Sequence, residues 1–210
     1  MTRPERAYIM TGTIIGWTAL LLQFYVSITV LMQVGSSFFG AAIKYLSYFT
    51  ILTNLLVTLC LSFLWLKPCS MPGIFFSRPL VKTALAVYIL IVGIIYSAML
   101  RHQWNPQGIG LVADELLHDV MPLLFLFYWI TFVPKNSFKW TDAFKFLVYP
   151  LVYIVYSVIR GGITGDYPYW FANVGVLGIQ TVFMYTIFIL VAFVFVGLIF
   201  ILIGKVVSRD

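Results

Sequence analysis

Charge is scarce in this 210-residue chain: 10% of its residues are Asp, Glu, Lys or Arg, and only 7 are acidic. A typical soluble domain carries about 25%. With 62% hydrophobic residues, no water-soluble fold of this size could hide so much apolar surface. Histidine and cysteine are scarcer still, with two of each. Cys60 lies inside an apolar run and Cys69 in a loop, with neither metal-ligand spacing nor a disulfide framework between them. His102 and His118 have no persuasive ligand set, so no metal site and no cofactor are expected. Tandem repeats and low-complexity tracts are missing too. The net charge of +6 does not point to nucleic acid, because the basic residues fall in short segments between apolar runs, where membrane topology explains them.

What is present is apolar length. A bilayer-spanning helix needs about 20 mostly apolar residues, and the chain offers six candidates, at roughly 8–33, 45–66, 80–100, 112–133, 141–160 and 178–204. The breaks have the chemistry of turns. Gly35-Ser36-Ser37 ends the first run, and Pro68 with Pro72-Gly73 separates the second from the third. Asn105-Pro106-Gln107-Gly108 and Pro134-Lys135-Asn136 bound the fourth, and Gly161-Gly162 closes the fifth. The first run is too long for a signal-peptide core and reads as a retained signal-anchor helix. The expected fold is therefore all-α, a multi-pass bundle of six transmembrane helices forming one domain over residues 1–210. Its expected partners are membrane lipids.

Counting Lys and Arg by side orients the bundle. One side holds Arg3, Arg6, Lys67, Arg78, Lys82, Lys135, Lys139, Lys145, Lys205 and Arg209; the other holds Lys44, Arg101 and Arg160, ten against three. Both termini are therefore expected in the cytoplasm, with the chain in the cytoplasmic membrane.

That orientation gathers the polar residues of the spans toward the outer face. Thr50 falls about five residues into the second span and His118 about six into the fourth, so both sit roughly 8–9 Å below the outer ends of their helices. Arg101 and Arg160 end the third and fifth spans on the same side. Thr50 and Asn54 are four apart and share a face, as do Asp114 and His118, so the carboxylate is placed to orient the imidazole. Asp119 points about 100° away from His118. Pro122 follows His118 by four and removes the hydrogen bond to its carbonyl, which predicts a bend. Tyr149, Tyr153, Tyr156 and Arg160 form a stripe on the fifth span that should face the bundle interior. Each residue also has a plain structural role open to it. The threonine can bond a backbone carbonyl, the arginines can snorkel, and the tyrosines can form an interfacial belt.

The segments Tyr48-Phe49-Thr50-Ile51-Leu52-Thr53-Asn54, His118-Asp119-Val120-Met121-Pro122, Tyr149-Pro150…Arg160-Gly161 and Thr164-Gly165-Asp166-Tyr167-Pro168-Tyr169 resemble the bacterial branch of the androgen-induced membrane protein family. The resemblance runs from the second span to the start of the sixth. It implies an integral-membrane hydrolase of lipid esters, in which Thr50 is the nucleophile and His118 the second catalytic residue. The residue chemistry is compatible: a threonine hydroxyl needs an adjacent base, and an imidazole can supply one. Asn54, Arg160 or a tyrosine hydroxyl such as Tyr153 or Tyr156 are candidates for the oxyanion or the substrate, with Asp114 and Arg101 in support. An acyl-ester lipid is the expected substrate. A non-catalytic lipid-binding protein and a small-molecule transporter are the rival readings.

Overall fold

In the computed structural model residues 1–103, 105–135 and 138–207 are described, and every regular element among them is helical. The chain divides into two compact units, Met1–Pro134 and Lys135–Asp210.

The first unit opens with α1 (Arg3–Gln33), started by a reciprocal cap in which Thr2 accepts from the Glu5 amide and Glu5 from the Thr2 amide, both at 3.3 Å. It ends where Gly35 adopts φ 92°, a conformation open to glycine. A short α2 (Phe38–Tyr45) then runs back along α1, and the Tyr45 hydroxyl donates to the Leu20 carbonyl at 2.8 Å. Since α1 continues to Gln33, the start of the next helix lies roughly 20 Å back from the C-terminal end of α1.

That next helix is α3 (Phe49–Leu66), followed by a short α4 (Met71–Ser77) and by α5 (Pro79–Ile95). The α5 axis continues through a π-helical turn (Tyr96–Leu100) and a single tight turn (Arg101–Gln103). The rest of the unit is α6 (Ile109–Glu115), a second π-helical turn (Leu116–Val120) and α7 (Met121–Phe132). Helix α1 packs on α3, α6 and α7, while α5 packs on α3 and α7. Small residues allow the closest of these approaches. A Cβ on Gly16 would strike Thr58 and Met121, and one on Gly12 would crowd Leu124 and Leu61.

The second unit contains α8 (Asp142–Lys145), α9 (Val148–Thr164), a single tight turn (Trp170–Ala172) and α10 (Val174–Val207). Gly178, at φ 75°, kinks α10 near its start, which matches the expected beginning of the last span. Gly161-Gly162 do not close the fifth span as expected. The helix runs through them to Gly165 at φ 70° because Gly161 is needed for packing: Tyr167 folds onto its Cα.

Among the described residues five helices are long and apolar enough to cross a membrane: Arg3–Gln33, Phe49–Leu66, Pro79–Gln103, Asp142–Thr164 and Val174–Val207. They support a multi-pass membrane protein. The remaining expected span, 112–133, is helical but carries Asp114, Glu115, His118 and Asp119 in its first turns and is widened at Leu116–Val120. Lys82, at the start of the 80–100 run, lies in the first turn of α5 and is 7% exposed.

Replacing Gly16 by Leu should prevent α1 from docking on α3 and α7. The expected outcome is a lower thermal midpoint in detergent by size-exclusion chromatography, and an unchanged midpoint would show that this approach is dispensable.

Candidate functional site

The site in the first unit begins with a missing hydrogen bond. In the second π-helical turn, the Met121 amide bonds to the Leu116 carbonyl, five residues back rather than four. In that register the Leu117 carbonyl would meet Pro122, which has no N–H. Asn54 of α3 supplies the donor instead. Its Nδ2 donates to the Leu117 carbonyl at 3.2 Å and to the Thr50 carbonyl at 2.9 Å, and the residue is fully buried. Both amide hydrogens are thereby committed to backbone, so Asn54 is not available as an oxyanion donor. Pro122, expected to bend the helix, is accommodated by a wider turn.

The same contact settles what the helix starts alone do not. Thr50 is the second residue of α3, not the fifth of its span, and His118 lies ten residues into a helical run that starts at Ile109. Counting residues therefore does not put them at one depth. The Asn54 bond does bring the Thr50 end of α3 against the His118 turn, and Ile51 and Leu117 share one buried cluster with Ala19, Leu20 and Tyr45. Thr50 itself is 9% exposed.

The imidazole of His118 is held on the same turn. Its Nδ1 lies 2.9 Å from the Asp114 carbonyl and 3.2 Å from Asp114 Oδ1. Both partners are acceptors, so a neutral ring in this position has its proton on Nδ1 and its lone pair on Nε2. Asp114 thus orients the ring as its spacing predicts. The other carboxylate oxygen of Asp114 accepts from the Tyr96 hydroxyl. The Tyr96 ring stacks on the imidazole, with centroids 3.7 Å apart and planes 14° apart.

Two backbone features allow that stacking. Tyr96 opens the first π-helical turn, where the Arg101 amide reaches back five residues to its carbonyl. One helical turn earlier, Gly93 meets the opposite helix so closely that a Cβ would sit 3.0 Å from the His118 carbonyl and 3.4 Å from Pro122. Tyr96 and Gly93 went unread in the sequence. Their signal was faint: a glycine three residues before a tyrosine, near the end of an apolar run.

Arg101 pairs with Asp119 rather than with His118. Its Nη2 lies 2.6 Å from both carboxylate oxygens, and the guanidinium sits 5.0 Å from the Tyr96 ring centroid. This is consistent with Asp119 pointing away from the imidazole. His102 lies in the exposed turn beyond Arg101, and no cluster able to hold a metal ion occurs among the described residues.

Three candidates belong to the second unit. Arg160 donates to the Asp166 carbonyl through Nη1 and lies 3.0 Å from its carboxylate through Nη2. Tyr153 is buried, 6.3 Å from the Tyr156 ring and 6.5 Å from that of Tyr169. Tyr156 is 40% exposed. Arg160 therefore has a local structural role: with Asp166 and Tyr167 it folds the segment after α9 back onto its own helix.

A second polar cluster lies toward the other end of the first unit. The Lys82 ammonium sits 5.5 Å from the Tyr128 ring centroid and within electrostatic reach of Glu5. Beside it, Trp129 donates to Thr83 at 2.9 Å.

No family model, characterised protein or solved structure matches the chain.

Asn54→Ala would leave the Leu117 carbonyl without a donor. It should lower unfolding free energy by about 1–3 kcal/mol, read as a shifted denaturation midpoint in mixed micelles. A midpoint equal to that of the wild type would show that the carbonyl does not depend on the amide.

Proposed function

We propose that the chain is an integral-membrane hydrolase of fatty acyl esters, with Thr50 as nucleophile and His118 as general base. The observation that carries this reading is the held imidazole. Asp114 accepts the hydrogen bond from Nδ1–H, which leaves the Nε2 lone pair for proton transfer, and Asn54 ties the turn that bears His118 to the Thr50 end of α3. The resemblance in the Thr50 and His118 segments points the same way. We also propose that Ile109–Phe132 completes a six-span bundle with both termini in the cytoplasm. The ten-to-three asymmetry of basic residues supports it, and Arg209, one of the ten, lies outside the described residues. Four spans then belong to the first unit and two to the second. The cytoplasmic membrane remains the proposed location.

The chemistry proceeds in two halves. The Thr50 hydroxyl attacks the ester carbonyl while its proton passes to His118 Nε2, and Asp114 stabilises the imidazolium. The tetrahedral intermediate collapses as Nε2–H returns the proton to the departing alkoxide, leaving acyl-Thr50 and a free alcohol. Water then attacks the acyl carbon, giving a proton to Nε2. Collapse of that intermediate releases the fatty acid and hands the proton back to Thr50 Oγ. Negative charge on the carbonyl oxygen develops near the positive end of the α3 dipole, because Thr50 is the second residue of that helix. The acyl chain would lie among the apolar helix faces.

The protein in detergent should be labelled by a fluorophosphonate probe, and Thr50→Ala and His118→Ala should each abolish labelling and lower turnover of a medium-chain acyl ester by about 100-fold or more. Labelling that survives both substitutions would sink the hydrolase reading. Co-purified ester lipid without turnover would leave a lipid-binding protein.

One observation favours a transport path as a second reading: buried Lys82 gives the cytoplasmic half of the first unit a charge that a purely apolar wall would lack. On that reading, proteoliposomes loaded with a permeant small anion should release it, and Lys82→Met should slow release. Equal leakage from empty liposomes would dismiss it.

A further inference from the structure

We propose that Tyr96 is the positioning residue that fixes the orientation and tautomer of His118. Its catalytic meaning rests on the hydrolase reading, but the geometry does not.

An imidazole on a helix has two side-chain torsions and two neutral tautomers. For Nε2 to serve as base, one ring orientation and the Nδ1–H tautomer must be selected together. Asp114 makes the selection through Nδ1 with its backbone carbonyl at 2.9 Å and its carboxylate, and only the carboxylate can swing away, about a terminal torsion that is broad. Oδ1 stays 3.2 Å from Nδ1 only while something holds Oδ2, and the Tyr96 hydroxyl donates to that oxygen. The ring of the same residue covers the imidazole at 3.7 Å and nearly parallel, which restricts the remaining rotation of His118. One side chain therefore holds the carboxylate with its hydroxyl and the imidazole with its face.

Tyr96 is itself held in place. It is 5% exposed, and Gly93 brings its helix against the His118 carbonyl. The Arg101 guanidinium lies over its ring, and Asp119 fixes Arg101. With its hydroxyl committed to Asp114 and its ring buried, Tyr96 does not reach a substrate. It acts through His118, and phenylalanine can replace only its ring.

The chain has two histidines, so a 15N-histidine label read by solid-state NMR in liposomes resolves the question, with His102→Gln assigning the signals. Wild-type His118 should show the Nδ1–H tautomer. Tyr96→Phe keeps the stack and loses the hydroxyl, and should give a mixed tautomer population with kcat about 10-fold lower and KM within about two-fold. Tyr96→Leu loses both contacts and should fall about 100-fold in kcat. An unchanged His118 tautomer in Tyr96→Phe overturns the proposal whatever the turnover, and that variant serves if Tyr96→Leu does not fold. A tautomer change in a protein whose wild type hydrolyses no ester upholds the positioning role and rejects the hydrolase reading.

Discussion

The Leu117 carbonyl is the constraint on which the first unit turns. A backbone group buried away from water must find a partner within the protein. The π-helical register at Leu116–Val120 and the missing N–H of Pro122 together leave this carbonyl without one, and Asn54 answers from α3. That bond fixes how α3 meets the helix bearing His118, and it explains a fully buried amide in a helix otherwise rich in Leu. Thr50 lies one turn before Asn54 on the same face, so its position is tied to His118 through the backbone that Asn54 bridges. On the opposite flank, Gly93 gives α5 the room to reach the same turn, and Tyr96 follows from that approach.

Charge is handled locally throughout. Asp114 is shared between His118 and Tyr96, Arg101 takes Asp119, Arg160 takes Asp166, and Asp142 takes Lys145. These pairs differ in weight. Arg101 and Asp119 are each more than a third exposed, where an ion pair contributes little stability. Asp114 and His118 are nearly buried, and each side-chain oxygen of Asp114 has a donor, the His118 imidazole on one and the Tyr96 hydroxyl on the other. Lys82 is stabilised differently, by the face of Tyr128 and by Glu5 at longer range.

The parts of this arrangement that follow helical periodicity were legible in the sequence. The spacing of Asp114 and His118 put carboxylate and imidazole together, and the offset of Asp119 turned it away toward Arg101. Of the six apolar runs, five coincide with helices long and apolar enough to cross a membrane. What stayed hidden depended on departures from that periodicity. Tyr96 meets His118 because both lie in π-helical turns, and no 3.6-residue repeat shows an inserted residue. Pro122 was the visible end of that feature, read as a bend when the helix widened instead. Gly161-Gly162 looked like a stop because the partner that needs Gly161, Tyr167, lies beyond the helix end. Counting residues from assumed helix starts gave Thr50 and His118 a common depth. The return of α2 along α1, fixed by Tyr45, and the Asn54 bond are what set their levels.

The division into two units narrows what the proposed reaction can draw on. Thr50, Tyr96, Asp114 and His118 all belong to Met1–Pro134, whereas Arg160, Tyr153 and Tyr156 have structural partners of their own in the other unit. Proton transfer from a threonine to an imidazole creates an alkoxide-like nucleophile and a cation, a separation that low-dielectric surroundings oppose. The anion that compensates the imidazolium must therefore be in place before the proton moves, and it must not swing away as the charge develops. A carboxylate held only by the imidazole would be free to do so. Held from its second oxygen as well, Asp114 would on the proposed reading stay in place as that charge develops. On the proposed reading, the catalytic contribution of this region lies less in the histidine than in the rigidity of what surrounds it.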